Sequence, residues 1–265
     1  MDLATVGVTP ERTSDPAKAL RLVQRDGAAI LTRAGLSEAD ARAVGFSIFN
    51  RTLLAVPSGV KVSDAGDRGQ RPSGSSNATR SQCHTSGYSY GQHYPDAVVL
   101  LCQWQSEVGG ASILVDGYKL FELMIDDPEY APLAARLATT PVDQTDPGMQ
   151  PLIRPIVSTT DRGRRMLVTA NVEHIRPCLD SSNPVADLAM IERWYDLLDA
   201  AAERVEHPKL RNGEALIIDN YRVLHGREPY EDQRRTLWRL WLWTEDSAYG
   251  APSVPLHSDN RHTAA

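Results

Sequence analysis

The sequence predicts a mainly β protein with helical insertions, in which a β-sandwich is decorated by helices. Two observations predict it. Runs rich in aliphatic and β-branched residues, bounded by Gly, Pro or Asn, recur at AVVLLCQW (97–104), ASILVDG (111–117), MLVTAN (166–171), EALIIDN (214–220) and TLWRLWLWT (236–244). Helical patterns fall before and between these runs, without the regular βαβ alternation that a parallel sheet requires. At 265 residues and 42% hydrophobic content the chain is long enough for a sizeable core, so one elaborated domain over 1–265 is expected.

The elements follow from local signals. Ser14 and Asp15 stand before Pro16, an N-cap with proline in the first turn, and AKALRLVQRDG then runs to a glycine stop. AAILT (28–32) reads as a buried strand, and Ser37 with Asp40 resembles a capping box opening a helix through Phe49. These make up an N-terminal helical and strand region, 1–60. From 62 to 82 the chain is Gly, Ser and Arg rich with almost no large apolar residue, which predicts a long loop. A β-core follows over 83–245, its strands 97–104 and 111–117 joined by a turn at Gly109 and Gly110. Within it, 118–125 and 129–138 have helical character. Leu188, Ile191, Trp194, Leu197, Leu198, Ala201 and Val205 line one face of a longer amphipathic helix, and 246–265 forms a C-terminal tail.

Composition narrows the function. A net charge of -6, from 28 basic and 34 acidic residues spread along the chain, provides no general basic surface for nucleic acid polymers or anionic membrane, so a small-molecule partner is expected. Cys83, Cys102 and Cys178 are odd in number and far apart, which suggests neither a disulfide framework nor a cysteine zinc site. The opening MDLATVGVTPERTSD has no apolar signal region, and no apolar run approaches the ~18 residues of a membrane span, so a cytoplasmic protein is expected.

Three clusters carry chemistry. In CHTSGY, His84 lies in the loop ahead of the 97–104 strand. In IIDNYRVLHGREPY, His225 follows a strongly apolar strand at its polar exit, where an imidazole can serve a metal at a barrel mouth. In RRTLWRLWLW, Arg235 and Arg239 share one face of a strand, where burial calls for an anionic ligand or for an internal Asp or Glu.

In this order the clusters resemble the taurine dioxygenase family of iron(II)/2-oxoglutarate oxygenases, from about His84 to Glu245. The family's His-Thr-Asp, Gly-Gly-x-Thr, Asn-x-Arg-x-x-His-Gly-Arg and Arg-Arg-x-x-x-Arg motifs read here HTS, GGAS, NYRVLHGR and RRTLWR. The resemblance implies a double-stranded β-helix, a cupin-like jelly roll. It further implies Fe(II) on His84 and His225, the distal carboxylate of 2-oxoglutarate on Ser112 and Arg235, a cosubstrate or substrate anion on Arg239, and O2 as oxidant.

One motif departs from the family. Where the resemblance requires a carboxylate ligand, this sequence has Ser86. A neutral serine leaves a vacant coordination position and an uncompensated positive charge, and chloride supplies both needs. This is similar to the halogenase subgroup of the same enzymes, in which a small residue replaces the carboxylate and halide binds iron. That subgroup couples decarboxylation of 2-oxoglutarate to hydrogen abstraction from an unactivated carbon, followed by chlorine transfer. The serine hydroxyl can also donate a hydrogen bond to the halide. The alternatives are a distant carboxylate, Asp96 or Asp116, filling the position; a hydroxylase working without chloride; and a metal-free binding protein of this fold.

The loop ahead of HTS holds Arg68, Arg71 and Arg80 among hydroxyl-bearing residues, a composition suited to phosphate or carboxylate, or simply to solvent. The resemblance extends to carrier-independent halogenases, including one of pentostatin-type nucleoside pathways, and implies a nucleotide such as 2'-deoxyadenosine monophosphate. A free amino acid is the second expectation, and nothing requires a carrier protein.

Overall fold

In the computed structural model, residues 1–62 and 79–257 are described. The first helix, α1 (Pro16–Asp26), is capped by the Asp15 carboxylate and ends on Gly27 at φ 87°, between strands β1 (Glu11–Thr13) and β2 (Ala28–Leu31). The reciprocal Ser37 and Asp40 capping box opens α2 (Glu38–Phe49), as expected. Strands β3 (Leu53–Ala55), β4 (Val60–Val62), β5 (Ser81–His84), β6 (Ala97–Trp104) and β7 (Ser112–Asp116) follow. Helices α3 (Gly117–Asp126) and α4 (Ala131–Thr139) lead to short strands β8 (Val142–Asp143), β9 (Ile153–Arg154), β10 (Val157–Thr159), β11 (Arg165–Leu167) and β12 (Arg176–Pro177). Helix α5 (Pro184–Ala202) precedes β13 (Ala215–Asp219), β14 (Val223–Arg227) and β15 (Thr236–Thr244).

Among the described residues a seven-stranded sheet, in the order β1-β2-β13-β6-β15-β3 with β4 also on β15, faces a three-stranded sheet, β5-β14-β7. Alternation along the strands separates three apolar layers. Val98, Cys102, Leu216, Ile218, Leu237, Trp241 and Trp243 of the large sheet meet Leu114 and Val223 of the small one in the interior. Their sequence neighbours Val99, Leu101, Ile217, Leu240 and Leu242 turn outward under α1 and α2. Cys83, Ile113, Val115 and Leu224 cover the other outer face, under α3, α4 and α5. This is the expected jelly-roll fold, mainly β with helical insertions.

Several expectations need correction. Strands β6 and β7 are consecutive but do not pair: Gly109 and Gly110, at φ 69° and 75°, carry the chain from one sheet to the other. A Cβ on Gly109 would lie 2.0 Å from the Pro229 carbonyl oxygen, so only glycine fits this crossing. His84 is not in a loop but ends β5, and His225 is not at the exit of the apolar strand but inside its own strand, β14. Of the 166–171 run only Met166 and Leu167 are strand, in β11, while Val168 and Thr169 make single backbone bonds with Ile156 and Thr85. Leu188 is exposed, and Asp187 takes the buried position there through an ion pair with Arg136. The C-terminal segment packs Val254 and Leu256 against the inter-sheet core. In the expected loop, Val62 ends β4 and Ser81 and Gln82 belong to β5, whereas Arg68 and Arg71 lie outside the described residues.

Candidate metal centre and anion pocket

Strand pairing brings the two histidines together. His225 sits opposite His84 in the β14/β5 register. Alternation points both inward, since Cys83 and Leu224 beside them face outward. The rings are 4.9 Å apart at 47°. β5 comes this close because position 226 is glycine: a Cβ there would be 2.5 Å from the Ser81 carbonyl oxygen.

His84 Nδ1 lies 2.9 Å from the Gln82 carbonyl and donates to it, which makes Nε2 the unprotonated nitrogen of the neutral ring. His225 Nε2 stands 3.0 Å from Ser86 Oγ. Burial holds both imidazoles below the usual histidine pKa, His225 well below, and the charge of Arg239 acts on both in the same direction. Neutral imidazole is the form that binds a metal, so the donor pair fits Fe(II).

No carboxylate joins them. Among the described residues, no group of three or more His, Cys, Asp or Glu is arranged to hold a metal ion. Asp96 accepts from the Thr244 backbone and from the Thr244 and Ser247 hydroxyls, at 2.8, 2.5 and 2.6 Å. Asp116 pairs with Arg222 at 2.6 Å and caps α3. Both aspartates are therefore committed elsewhere. Ser86 itself is buried, with its backbone clamped by Asn220: Ser86 N–H donates to Asn220 Oδ1 at 2.9 Å, and Asn220 Nδ2 donates to the Ser86 and Pro95 carbonyls, each at 2.8 Å. Asn220 was visible in the NYRVLHGR motif, but nothing in the sequence indicated which backbone it would hold.

Arg235 is 4% exposed. Its Nε donates to Gln105 Oε1 at 2.9 Å and its Nη2 to the Gly110 carbonyl at 3.1 Å, while the Tyr230 ring lies 4.9 Å away. Burial, reinforced by Arg227, pulls the guanidinium down to about 10, so it stays cationic at neutral pH. Among the described residues no carboxylate is its partner. Ser112 is buried opposite Arg227 in the β7/β14 register, on the inward face with Leu114. Arg239 is half-buried, 4.9 Å over the ring of Trp241. Arg80 is also half-buried, with Nη2 lacking a partner, on a cleft of about 490 Å³ shared with Gln82, Asn171, Glu173, Asp199 and Glu203. Among the described residues, no helix is long and apolar enough to cross a membrane.

Two facing sheets with a pair of inward histidines between them define a jelly roll with a two-imidazole donor set. The family described as Taurine catabolism dioxygenase TauD, TfdA family matches residues 6–241, and the chain belongs to it. Over 158 residues it is 27% identical to gamma-butyrobetaine dioxygenase from Homo sapiens, covering 52% of this chain and 38% of that protein. The same protein from Pongo abelii matches to the same extent, so the chain spans well under half the length of these curated relatives. Asparagine oxygenase in complex with Fe(II), 2S,3S-3-hydroxyasparagine and succinate superposes with a TM-score of 0.58 at 16% identity, over 87% of this chain and 78% of that one. A taurine dioxygenase from Burkholderia xenovorans gives 0.55 at 16%, over 93% and 88%. At such identities the structural likeness establishes the fold alone.

Proposed function

We propose that this protein is an iron(II)- and 2-oxoglutarate-dependent halogenase of a free small molecule, with a nucleotide such as 2'-deoxyadenosine monophosphate as the leading substrate class. The observation that carries the reading is Ser86, a small neutral side chain 3.0 Å from His225 Nε2 in a site where no described carboxylate replaces it. His84 and His225 would hold the iron, which when bound couples O2 activation to decarboxylation of 2-oxoglutarate. Beside His225, the gap at Ser86 leaves a place for chloride, and the hydroxyl can turn to donate to it. A chloride there offsets the charge that an aspartate would have balanced.

Arg235 and Ser112 would hold the distal carboxylate of 2-oxoglutarate, and Arg239 a cosubstrate or substrate anion. A buried guanidinium without an acid partner is costly, and a carboxylate ligand relieves that cost. Arg235→Leu is expected to weaken 2-oxoglutarate by a factor of roughly 30 or more, the equivalent of ~2 kcal/mol or above, with little loss of thermal stability. Calorimetric titration checks it, and an unfolded variant whose folded fraction keeps its affinity would make the arginine structural.

Arg80, with its unpartnered Nη2, supports a phosphorylated substrate. A second reading has its own support: Glu173, Asp199 and Glu203 line the same cleft, and the charge of Glu173 is felt at His84. That acidity favours an ammonium group, hence oxidation of a free amino acid, either chlorinating or hydroxylating. The deciding experiment is mass spectrometry of nucleotides and amino acids incubated with the protein, iron(II), 2-oxoglutarate and O2, with and without chloride. A chlorine isotope doublet on a nucleotide, lost in Arg80→Ala while uncoupled decarboxylation persists, supports the first reading. An oxygen-only product that ignores chloride overturns it.

A further inference from the structure

The inward face of β15 holds a donor that none of these roles uses. Trp241 follows Arg239 by one strand repeat, so both side chains enter the space between the sheets. Trp241 is 6% exposed, and its Nε1 is buried with no hydrogen-bond partner among the described residues. An indole N–H can only donate, and a buried donor without an acceptor is a standing cost that native interiors rarely leave unrelieved. Trp104, Trp194 and Trp243 all find acceptors, in Asp232, Thr169 and the His93 carbonyl. Trp238 also lacks one, but it packs on the helix-covered outer face.

The surroundings of Trp241 select what would satisfy it. Tyr90 makes a T-shaped contact with its ring at 5.7 Å, while the Tyr90 hydroxyl donates to the His257 carbonyl. The Arg239 guanidinium lies 4.9 Å over the same ring. A fixed neutral donor beside a cation, in a desolvated space, selects an anion with two acceptor oxygens, which is the shape of a carboxylate. Arg239 and Trp241 share the space between the sheets with His84 and His225, and the charge of Arg239 acts on both histidines.

We infer that Trp241 Nε1–H donates to a carboxylate of 2-oxoglutarate held by Arg239, making Trp241 a binding residue of the cosubstrate pocket. The inference rests on the 2-oxoglutarate-dependent reading above. Trp241→Phe separates the donor from the ring, because phenylalanine keeps an aromatic face for Arg239 and an edge for Tyr90. The probe is 2-oxoglutarate, titrated calorimetrically into Zn(II)-loaded wild type and variant under identical conditions. The variant should bind about tenfold or more weakly, as expected for loss of a hydrogen bond to a charged group, while its unliganded Tm holds or rises. In wild type, one indole 15N–1H resonance should move downfield on adding 2-oxoglutarate, a readout that survives even if the variant does not fold. Equal affinities, or indole resonances that all stay in place while wild type binds, overturn the inference and leave the 2-oxoglutarate reading intact. If wild type itself fails to bind 2-oxoglutarate, the functional reading falls and takes the inference with it.

Discussion

Ser86→Asp is expected to bring chlorination down to background while iron binding persists or tightens. The aspartate would put an anionic oxygen beside His225, where Ser86 Oγ now lies 3.0 Å from Nε2. It would balance the charge that chloride is proposed to balance and fill the space chloride is proposed to take. The backbone there is clamped by Asn220, so the new side chain starts from a fixed position and not from a flexible loop. Hydroxylation replaces chlorination only where the substrate is also aligned for oxygen transfer, a demand on positioning of about an ångström. Ser86→Gly should retain part of the chlorination, because it keeps the gap and loses only the hydroxyl. The measurement is product mass spectrometry against chloride concentration for all three proteins. Wild-type turnover indifferent to chloride, giving a product that gains oxygen alone, would make the serine a tolerated gap in a hydroxylase.

His84→Ala and His225→Ala should each abolish metal loading and turnover. Loss of partners that merely orient a metal ligand typically costs ~10- to 100-fold in affinity, and here each variant removes one of only two proposed protein ligands. The remaining imidazole would be a single anchor. Metal content after gel filtration, read beside Tm, separates this effect from unfolding. Stoichiometric iron retained in either variant would reassign the ligands.

The strands 97–104 and 236–244 were legible in the sequence to the residue, because each is a continuous apolar or alternating run bounded by breakers. The Ser37 and Asp40 box and the Asp15 and Pro16 start were legible for the same reason, since capping is settled within a few residues. β5 and β14 were not. SQCH and VLHGR are short, with a glycine in the second, and they become strands only because β14 pairs with β5 on one side and with β7 on the other. That pairing, invisible to local periodicity, is what sets His84 opposite His225.

By itself the sequence determined the residue types and their order: two histidines, a serine in place of a carboxylate, two arginines four residues apart, of which the structure puts Arg239 in β15 and Arg235 just before it, and a family motif that places them in a jelly roll. Tertiary structure alone decided who meets whom. It committed Asp96 to Thr244 and Ser247 and Asp116 to Arg222, which removed both as substitutes for the missing ligand. Among the described residues it left Arg235 buried without an acid and Trp241 buried without an acceptor. The physical reason is that motif spacing follows from local chain geometry, whereas the partner of a buried polar group is chosen by strands far apart in the chain, in an interior where an unmatched charge or donor is costly.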